Sequence, residues 1–280
     1  MIKAVFTDID GTLKNSKRKV SNYTRETLKR CKDEGLQIIL VSGRSRQNML
    51  KFIEDIDVCE YIISSNGAEI YDIQKNKKIY ADTIDKKQVK MLYDYVKKNN
   101  FTIKLNYEDK LAINKKNSSD DIEAFKADVE DFKTDEEILN IINNKEIVQC
   151  VIMNENIEKL KEFKRYFYEN FNNLKIENES KKLKNEDLPD EESYYCDIIN
   201  KDASKGRAVE KLMRELEYSI QEVVTIGDGE NDISMFKVTD NSVAMGNASE
   251  YVKKFANYVT KSNDEDGLAY MLNMILDKNK

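Results

Sequence analysis

Apolar residues near the start of the chain fall in short unbroken runs separated by longer amphipathic stretches. Residues 2–7, Ile-Lys-Ala-Val-Phe-Thr, predict a buried strand. Residues 21–34 predict a helix that stops at Gly35. Leu-Gln-Ile-Ile-Leu-Val at 36–41 predicts a second buried strand, and Met49, Leu50, Phe52, Ile53 and Ile56 mark a helix after it. Tyr61 to Ser64 predicts a third strand, leading into Ser65-Asn66-Gly67-Ala68. Strands that alternate with helices imply βαβ units and a parallel sheet.

The pattern changes near residue 81. Val89, Leu92, Tyr93 and Val96 follow the i, i+3, i+4, i+7 spacing of an amphipathic helix. Residues 101–105 and 111–113 read as paired strands, 147–153 as another strand, and 157 to about 171 as a helix. Residues 178–192 are dense in Lys, Glu, Asp and Asn and hold the lone proline, Pro189, as a surface loop would. From Ser204 the first pattern resumes. A helix over 205–216 is followed by strands over 221–227 and 241–245, and a final helix carries Leu268, Met271, Leu272 and Ile275. The expected architecture is an α/β core, a doubly wound and mainly parallel Rossmann-like sheet formed by residues 1–81 and 193–280. An α+β domain over 82–192 is inserted into it.

Composition narrows the chemistry. The 280 residues contain no histidine, which excludes Ser-His-Asp, Cys-His and His-metal sites. The four cysteines, Cys31, Cys59, Cys150 and Cys196, form no close pair and read as buried thiols. With only 9 glycines and 1 proline, long flexible linkers are not expected. A net charge of −6 argues against non-specific nucleic-acid binding and requires local positive charge wherever an anion binds. No basic segment precedes an apolar stretch at the N-terminus, and no run reaches the ~20 apolar residues of a membrane span. A cytoplasmic protein, monomeric or a small homo-oligomer, is expected.

The candidate chemistry lies at predicted strand ends, where open α/β sheets bind ligands. Asp8-Ile9-Asp10-Gly11-Thr12-Leu13 ends the first strand, Ser42-Gly43-Arg44 the second, and Gly227-Asp228-Gly229-Glu230-Asn231-Asp232 a late one. Lys205, between Ser204 and Gly206, opens a helix. Each alone has an ordinary reading as a turn, cap or surface charge. A calcium loop starting at Asp228 fails, because Thr239 stands where its closing Glu belongs. Together the four suit a divalent cation and a phosphate. Asp8 and Asp228 can supply carboxylates to Mg²⁺, and Asp10 its backbone carbonyl while its side chain faces substrate. The Ser42 hydroxyl and the Gly43 amide can bind phosphate, and Asn231 can donate to it. Lys205 offers a point charge to phosphate and to Asp8. Asp232 can brace Lys205 or a metal-bound water from behind.

In this order the motifs resemble those of haloacid dehalogenase superfamily phosphatases of the Cof type, over nearly the whole length. Ser65-Asn66-Gly67-Ala68, Met245-Gly246-Asn247-Ala248 and Asn263-Asp264-Glu265-Asp266-Gly267 add to the likeness. The resemblance implies that the insert is a substrate-selecting cap. It implies that Asp8 becomes an aspartyl phosphate and that Asp10 is general acid and base. Asp8, the Asp10 carbonyl and Asp228 would hold Mg²⁺, and Ser42 and Lys205 would bind the phosphoryl group. The expected substrate is a small phosphorylated metabolite such as a sugar phosphate. A phosphosugar mutase is the neighbouring alternative, and a non-catalytic ligand-binding or regulatory protein a more distant one.

Overall fold

The computed structural model describes residues 1–54, 56, 59–108, 110–114, 132–177 and 195–279. It divides into two compact units, Met1–Ala81 with Ala203–Lys280, and Asp82–Asp202.

The first unit opens with β1 (Ala4–Thr7), α1 (Asn22–Asp33), β2 (Gln37–Val41), α2 (Arg46–Ile53) and β3 (Cys59–Ser64). Ser21 caps α1 by accepting from Thr24 N, so the helix starts where its first orphan amides find an oxygen. A tight turn at Ser65–Gly67 then leads into β4 (Glu69–Asp72) and β5 (Lys77–Ala81). The sequence pattern did not mark these last two strands. They are short and carry Glu69, Asp72, Lys77 and Lys78, and they pair antiparallel as an extension of the sheet.

The second unit contains α3 (Lys86–Asn99), β6 (Thr102–Tyr107), β7 (Lys110–Asn114), β8 (Phe132–Lys133), α4 (Asp135–Asn144), β9 (Ile147–Met153), α5 (Ile157–Asn170), β10 (Leu174–Ile176) and β11 (Tyr195–Asn200). Its sheet runs β10-β11-β9-β6-β7-β8, antiparallel except between β7 and β8. Ile103, Leu105, Cys150, Ile152 and Ile198 point from this sheet into a core shared with Leu92 and Tyr93 of α3, Ile138 of α4 and Phe163 of α5. Aromatic rings fill it: Tyr95 stacks on Tyr166 at 4.2 Å and Phe167 on Phe171 at 5.3 Å. The return to the first unit, expected at residue 193, falls instead at Ala203. β11 pairs with β9, from Tyr195 opposite Met153 to Ile198 opposite Cys150, so it belongs to the inserted sheet. The charged stretch at 178–192 lies outside the described residues.

The chain then adds α6 (Lys205–Glu215), β12 (Val223–Gly227), α7 (Ile233–Phe236), β13 (Ser242–Ala244), α8 (Glu250–Lys253), β14 (Tyr258–Val259) and α9 (Gly267–Asn279) to the first unit. Its sheet order is β14-β13-β12-β1-β2-β3-β4-β5, parallel from β14 through β3. Successive residues alternate between two cores. Val5, Ile38, Leu40 and Ile226 face one with Leu28 of α1 and Leu272 of α9. Ala4, Phe6, Ile39 and Val41 face the other with Val209 and Leu212 of α6. Burial on both faces explains why the central strands read as continuous apolar runs. No disulfide joins the four cysteines. No helix among the described residues is long and apolar enough to cross a membrane.

Phe163 has no exposed surface and touches the Tyr95, Phe101 and Phe167 rings. Replacing it with alanine leaves a cavity that its rigid neighbours cannot fill. We expect Phe163→Ala to lose about 3–5 kcal/mol of stability, read from chemical denaturation.

Candidate active site

β12, β1, β2 and β3 are neighbours, and each delivers a polar turn at the same end. Asp8 follows β1, Ser42 follows β2, the Ser65 turn follows β3, and Asp228 follows β12. Backbone pairing fixes the entry to two of these turns. Asp8 N donates to Ile226 O at 3.0 Å, and Ser42 N to Ile63 O at 2.9 Å.

Lys205 is the first residue of α6, whose N-cap Ser204 accepts from Arg207 N. It is 1% exposed. Its Nζ donates to Asp8 Oδ1 and to Asp232 Oδ1, each at 2.6 Å. Burial pushes the ammonium towards its neutral form, but Asp232 and Asp8 outweigh this and hold its pKa above the ordinary value. Asp232 Oδ2 accepts from the amides of Asp228 and Gly229 at 2.9 and 2.8 Å. Both of its oxygens are therefore engaged within the protein, and it braces Lys205 and the turn that carries Asp228.

Asp8, Asp228 and Asp232 each offer a carboxylate oxygen within 4.8 Å of the others. Burial raises the Asp8 carboxyl well above the usual range; Lys205 opposes the rise, and Asp232 and Asp228 add to it. Burial, with Asp232 beside it, pushes Asp228 up to about 7, against the pull of the Thr12 hydroxyl. Thr12 Oγ1 donates to Asp228 Oδ1 at 2.8 Å. Gly11 holds φ +86°, and a Cβ there would run into the Asp228 carboxylate. Crowded oxygen-only donors, with the Asp8 and Asp228 carboxyls raised, fit a hard divalent cation, whose charge would favour the ionised forms of those two.

Asp10 stands apart from this trio. Arg44 grips its side chain with two hydrogen bonds of 2.6 Å. Burial pushes the Asp10 carboxyl up, but the Arg44 guanidinium, helped by Lys14 and Lys205, holds it below the usual range. The pair is partly exposed, Asp10 at 52%, so it contributes little to stability. Ser42 is buried and its Oγ accepts from Arg44 N at 3.3 Å; Gly43 between them is half-buried. Asn231 Nδ2 donates to Asn66 Oδ1 at 3.0 Å.

The sequence reading assigned no role to four residues that the structure brings to the site: Arg44 on Asp10, Thr12 on Asp228, Asn66 on Asn231, and Asn247. Asn247 Nδ2 donates to Gly11 O at 2.9 Å and lies 3.4 Å from Asp228 Oδ2. All four stand inside segments quoted from the sequence, but a motif does not disclose which of its side chains turn towards one another.

A family model of haloacid dehalogenase-like hydrolases matches residues 5–272. The chain belongs to this family. It is 26% identical to Phosphatase YwpJ of Bacillus subtilis, covering 98% of this chain and 100% of that one. It is 28% identical to 5-amino-6-(5-phospho-D-ribitylamino)uracil phosphatase YwtE of the same organism, with 98% of each covered. A haloacid dehalogenase-like hydrolase from Bacteroides thetaiotaomicron superposes with a TM-score of 0.84 at 28% identity, covering 98% of this chain and all of that one. The chain is a phosphoric monoester hydrolase.

The raised Asp228 carboxyl has a consequence for stability. It holds its proton in the folded protein up to about pH 7 and releases it near pH 4 when unfolded. Its contribution is complete below pH 4 and is lost as the pH rises through 7. In chelator, melting between pH 5 and 8 should show a fall in Tm that Asp228→Asn reduces. Divalent cation should raise the wild-type Tm more at pH 8 than at pH 5.

Proposed function

We propose that this hydrolase is a Mg²⁺-dependent phosphatase that cleaves small phosphorylated metabolites through an aspartyl phosphate on Asp8. The observation that carries the reading is the buried Asp8 carboxylate, fixed by Lys205 at a strand end beside Asp228. In a chain without histidine, the proton-transfer work falls to carboxylates, Lys, Tyr or Cys, and the carboxylates of Asp8 and Asp10 stand at the strand end.

Asp8 attacks phosphorus with the oxygen that Lys205 does not hold. The P–O bond to the leaving group breaks, and the departing oxygen takes a proton from Asp10. Water then attacks phosphorus, Asp10 accepts its proton, and the Asp8 carboxylate leaves. Held by Asp8, Asp228 and the Asp10 carbonyl, Mg²⁺ would neutralise charge between nucleophile and phosphate. Asp232 is not a ligand in this reading, since both of its oxygens are occupied. Ser42, the Gly43 amide, Lys205 and Asn231 bind the phosphoryl oxygens.

Arg44 resolves a difficulty with Asp10. A general acid must carry a proton, and the Arg44 grip favours the ionised form. A dianionic phosphoryl group competes for the guanidinium. Once Arg44 turns to it, the largest influence that favours ionised Asp10 is removed, and the carboxyl can more readily take up the proton it must deliver.

The phosphoryl-binding groups recognise phosphate and nothing beyond it. We assign the choice among esters to the inserted unit, Asp82–Asp202. One relative is named for a phosphoribityl compound, and a substrate of that size and kind suits the proposal.

A panel of phosphate esters assayed for phosphate release with Mg²⁺ tests the reading. Activity should vanish in EDTA, return with Mg²⁺ and be inhibited by Ca²⁺, whose longer, more numerous bonds can occupy both Asp8 oxygens. Asp8→Asn should fold and release no phosphate; near-wild-type release would end the covalent mechanism. Asp10→Asn should fold and lose about 10²–10⁴-fold in turnover, as removal of positioned proton transfer does.

A further inference from the structure

We propose that Asn66 is a positioning residue for phosphoryl binding, its side-chain oxygen setting the amide plane of Asn231. The inference rests on the phosphoryl-binding role given to Asn231 above.

Ser65, Asn66 and Gly67 hold φ values of 50°, 56° and 92°, three successive residues in the left-handed region. Backbone of this kind persists only where its surroundings fix it, and asparagine is among the few residues besides glycine that adopt it readily. Three parts of the site do the fixing. Ser65 N donates to Arg44 O at 2.8 Å and Asn66 N to Ser42 O at 3.0 Å. Gly67 packs so closely on the Ser204–Lys205 backbone that no Cβ fits between them. The Asn66 side chain, fully buried, reaches Asn231. One turn therefore joins the Ser42 loop, the start of α6 and the Asn231 loop.

The side-chain chemistry is directional. Asn66 Oδ1 can only accept, so it selects the NH₂ end of Asn231. That leaves Asn231 Oδ1 over Gly229, 2.6 Å from where a Cβ on Gly229 would lie. One Asn231 N–H is taken by Asn66, and the second remains for a phosphoryl oxygen. With the amide reversed, Asn231 would turn its negative end to a dianion. Asn66 Nδ2 is buried with no partner among the described residues. An aspartate would remove that orphan donor and keep the acceptor, but it would place a buried negative charge against the phosphoryl site. The uncharged acceptor is what the position requires.

Titration calorimetry with inorganic phosphate in Mg²⁺ buffer reads phosphate binding without turnover. Asn66→Gly accepts φ 56° without strain and removes the acceptor. We expect its phosphate Kd to rise about tenfold, the scale of one hydrogen bond to a charged group. In an Asn231→Ala background the same change should add nothing further, because Asn66 acts through Asn231. Asn66→Ser, whose hydroxyl is too short to reach Asn231, should behave alike and serves if the glycine variant does not fold. A wild-type Kd in folded Asn66→Gly overturns the proposal. So does an undiminished rise in the Asn231→Ala background, which would mean that Asn66 acts through the loop alone. A wild-type Kd in Asn231→Ala removes the phosphoryl role of Asn231 and this inference with it, while the Asp8 chemistry stands on its own assays.

Discussion

A lysine ammonium with 1% exposure, clasped by two carboxylates, is the interaction on which the rest of this site depends. Taking one positive charge out of water is costly, and taking out an unpaired carboxylate is equally so. Asp8–Lys205–Asp232 makes each burial tolerable through the others. The three residues come from the end of β1, the start of α6 and the turn after β12, so one charge cluster fixes three separate pieces of chain. It also leaves a remainder. With Asp228 the cluster holds three carboxylates against one ammonium, and that imbalance adds to the burial that raises the Asp8 and Asp228 pKa values. A divalent cation is the natural counterweight.

Around this cluster runs a ring of neutral and ion-paired contacts that hold the turns in register. Asn247 ties Gly11 to the C-terminal turn, since its Oδ1 accepts from Asn263 N, and Asn263 in turn donates to Lys14 O. Arg46 at the start of α2 pairs with the buried Glu69 of β4 and lies over the Tyr71 ring. That contact joins the two chain segments on either side of the Ser65 turn. Ligand-binding turns are usually the softer parts of a fold. Here their backbones are held from behind by groups that need never touch substrate.

The strands that end in Asp8, Ser42 and Asp228 were legible because burial on both faces writes itself as an apolar run. Lys205 was legible only in company with the other motifs, since nothing local distinguishes it from a solvated lysine. β4 and β5 were not legible: Glu69 is buried against the distant Arg46, Asp72 is buried beside Lys75, and Lys77 and Lys78 of β5 are exposed, so neither strand reads as an apolar run. β11 fell on the wrong side of the boundary expected at 193, because Tyr-Cys-Asp-Ile-Ile carries no mark of which neighbour it will pair with. The Arg44 grip on Asp10 and the Asn66–Asn231 contact were invisible for a related reason. Side chains 34 and 165 positions apart meet only after the sheet has ordered its strands.

β1 has neighbours from opposite ends of the chain, β2 close behind it and β12 more than two hundred residues later. The inserted sheet has no such dependence, for each of its strands pairs within residues 102–200. During synthesis the insert can therefore complete its own core while the first unit still waits for its central partner. Until Val223–Gly227 emerges, β1 is an open apolar edge and Asp8 lacks the turn that neutralises its lysine. Asp8 is made about two hundred residues before Lys205 and Asp232, which complete its environment. Pairing with β12 thus also closes an edge that would otherwise be open to unwanted strand pairing.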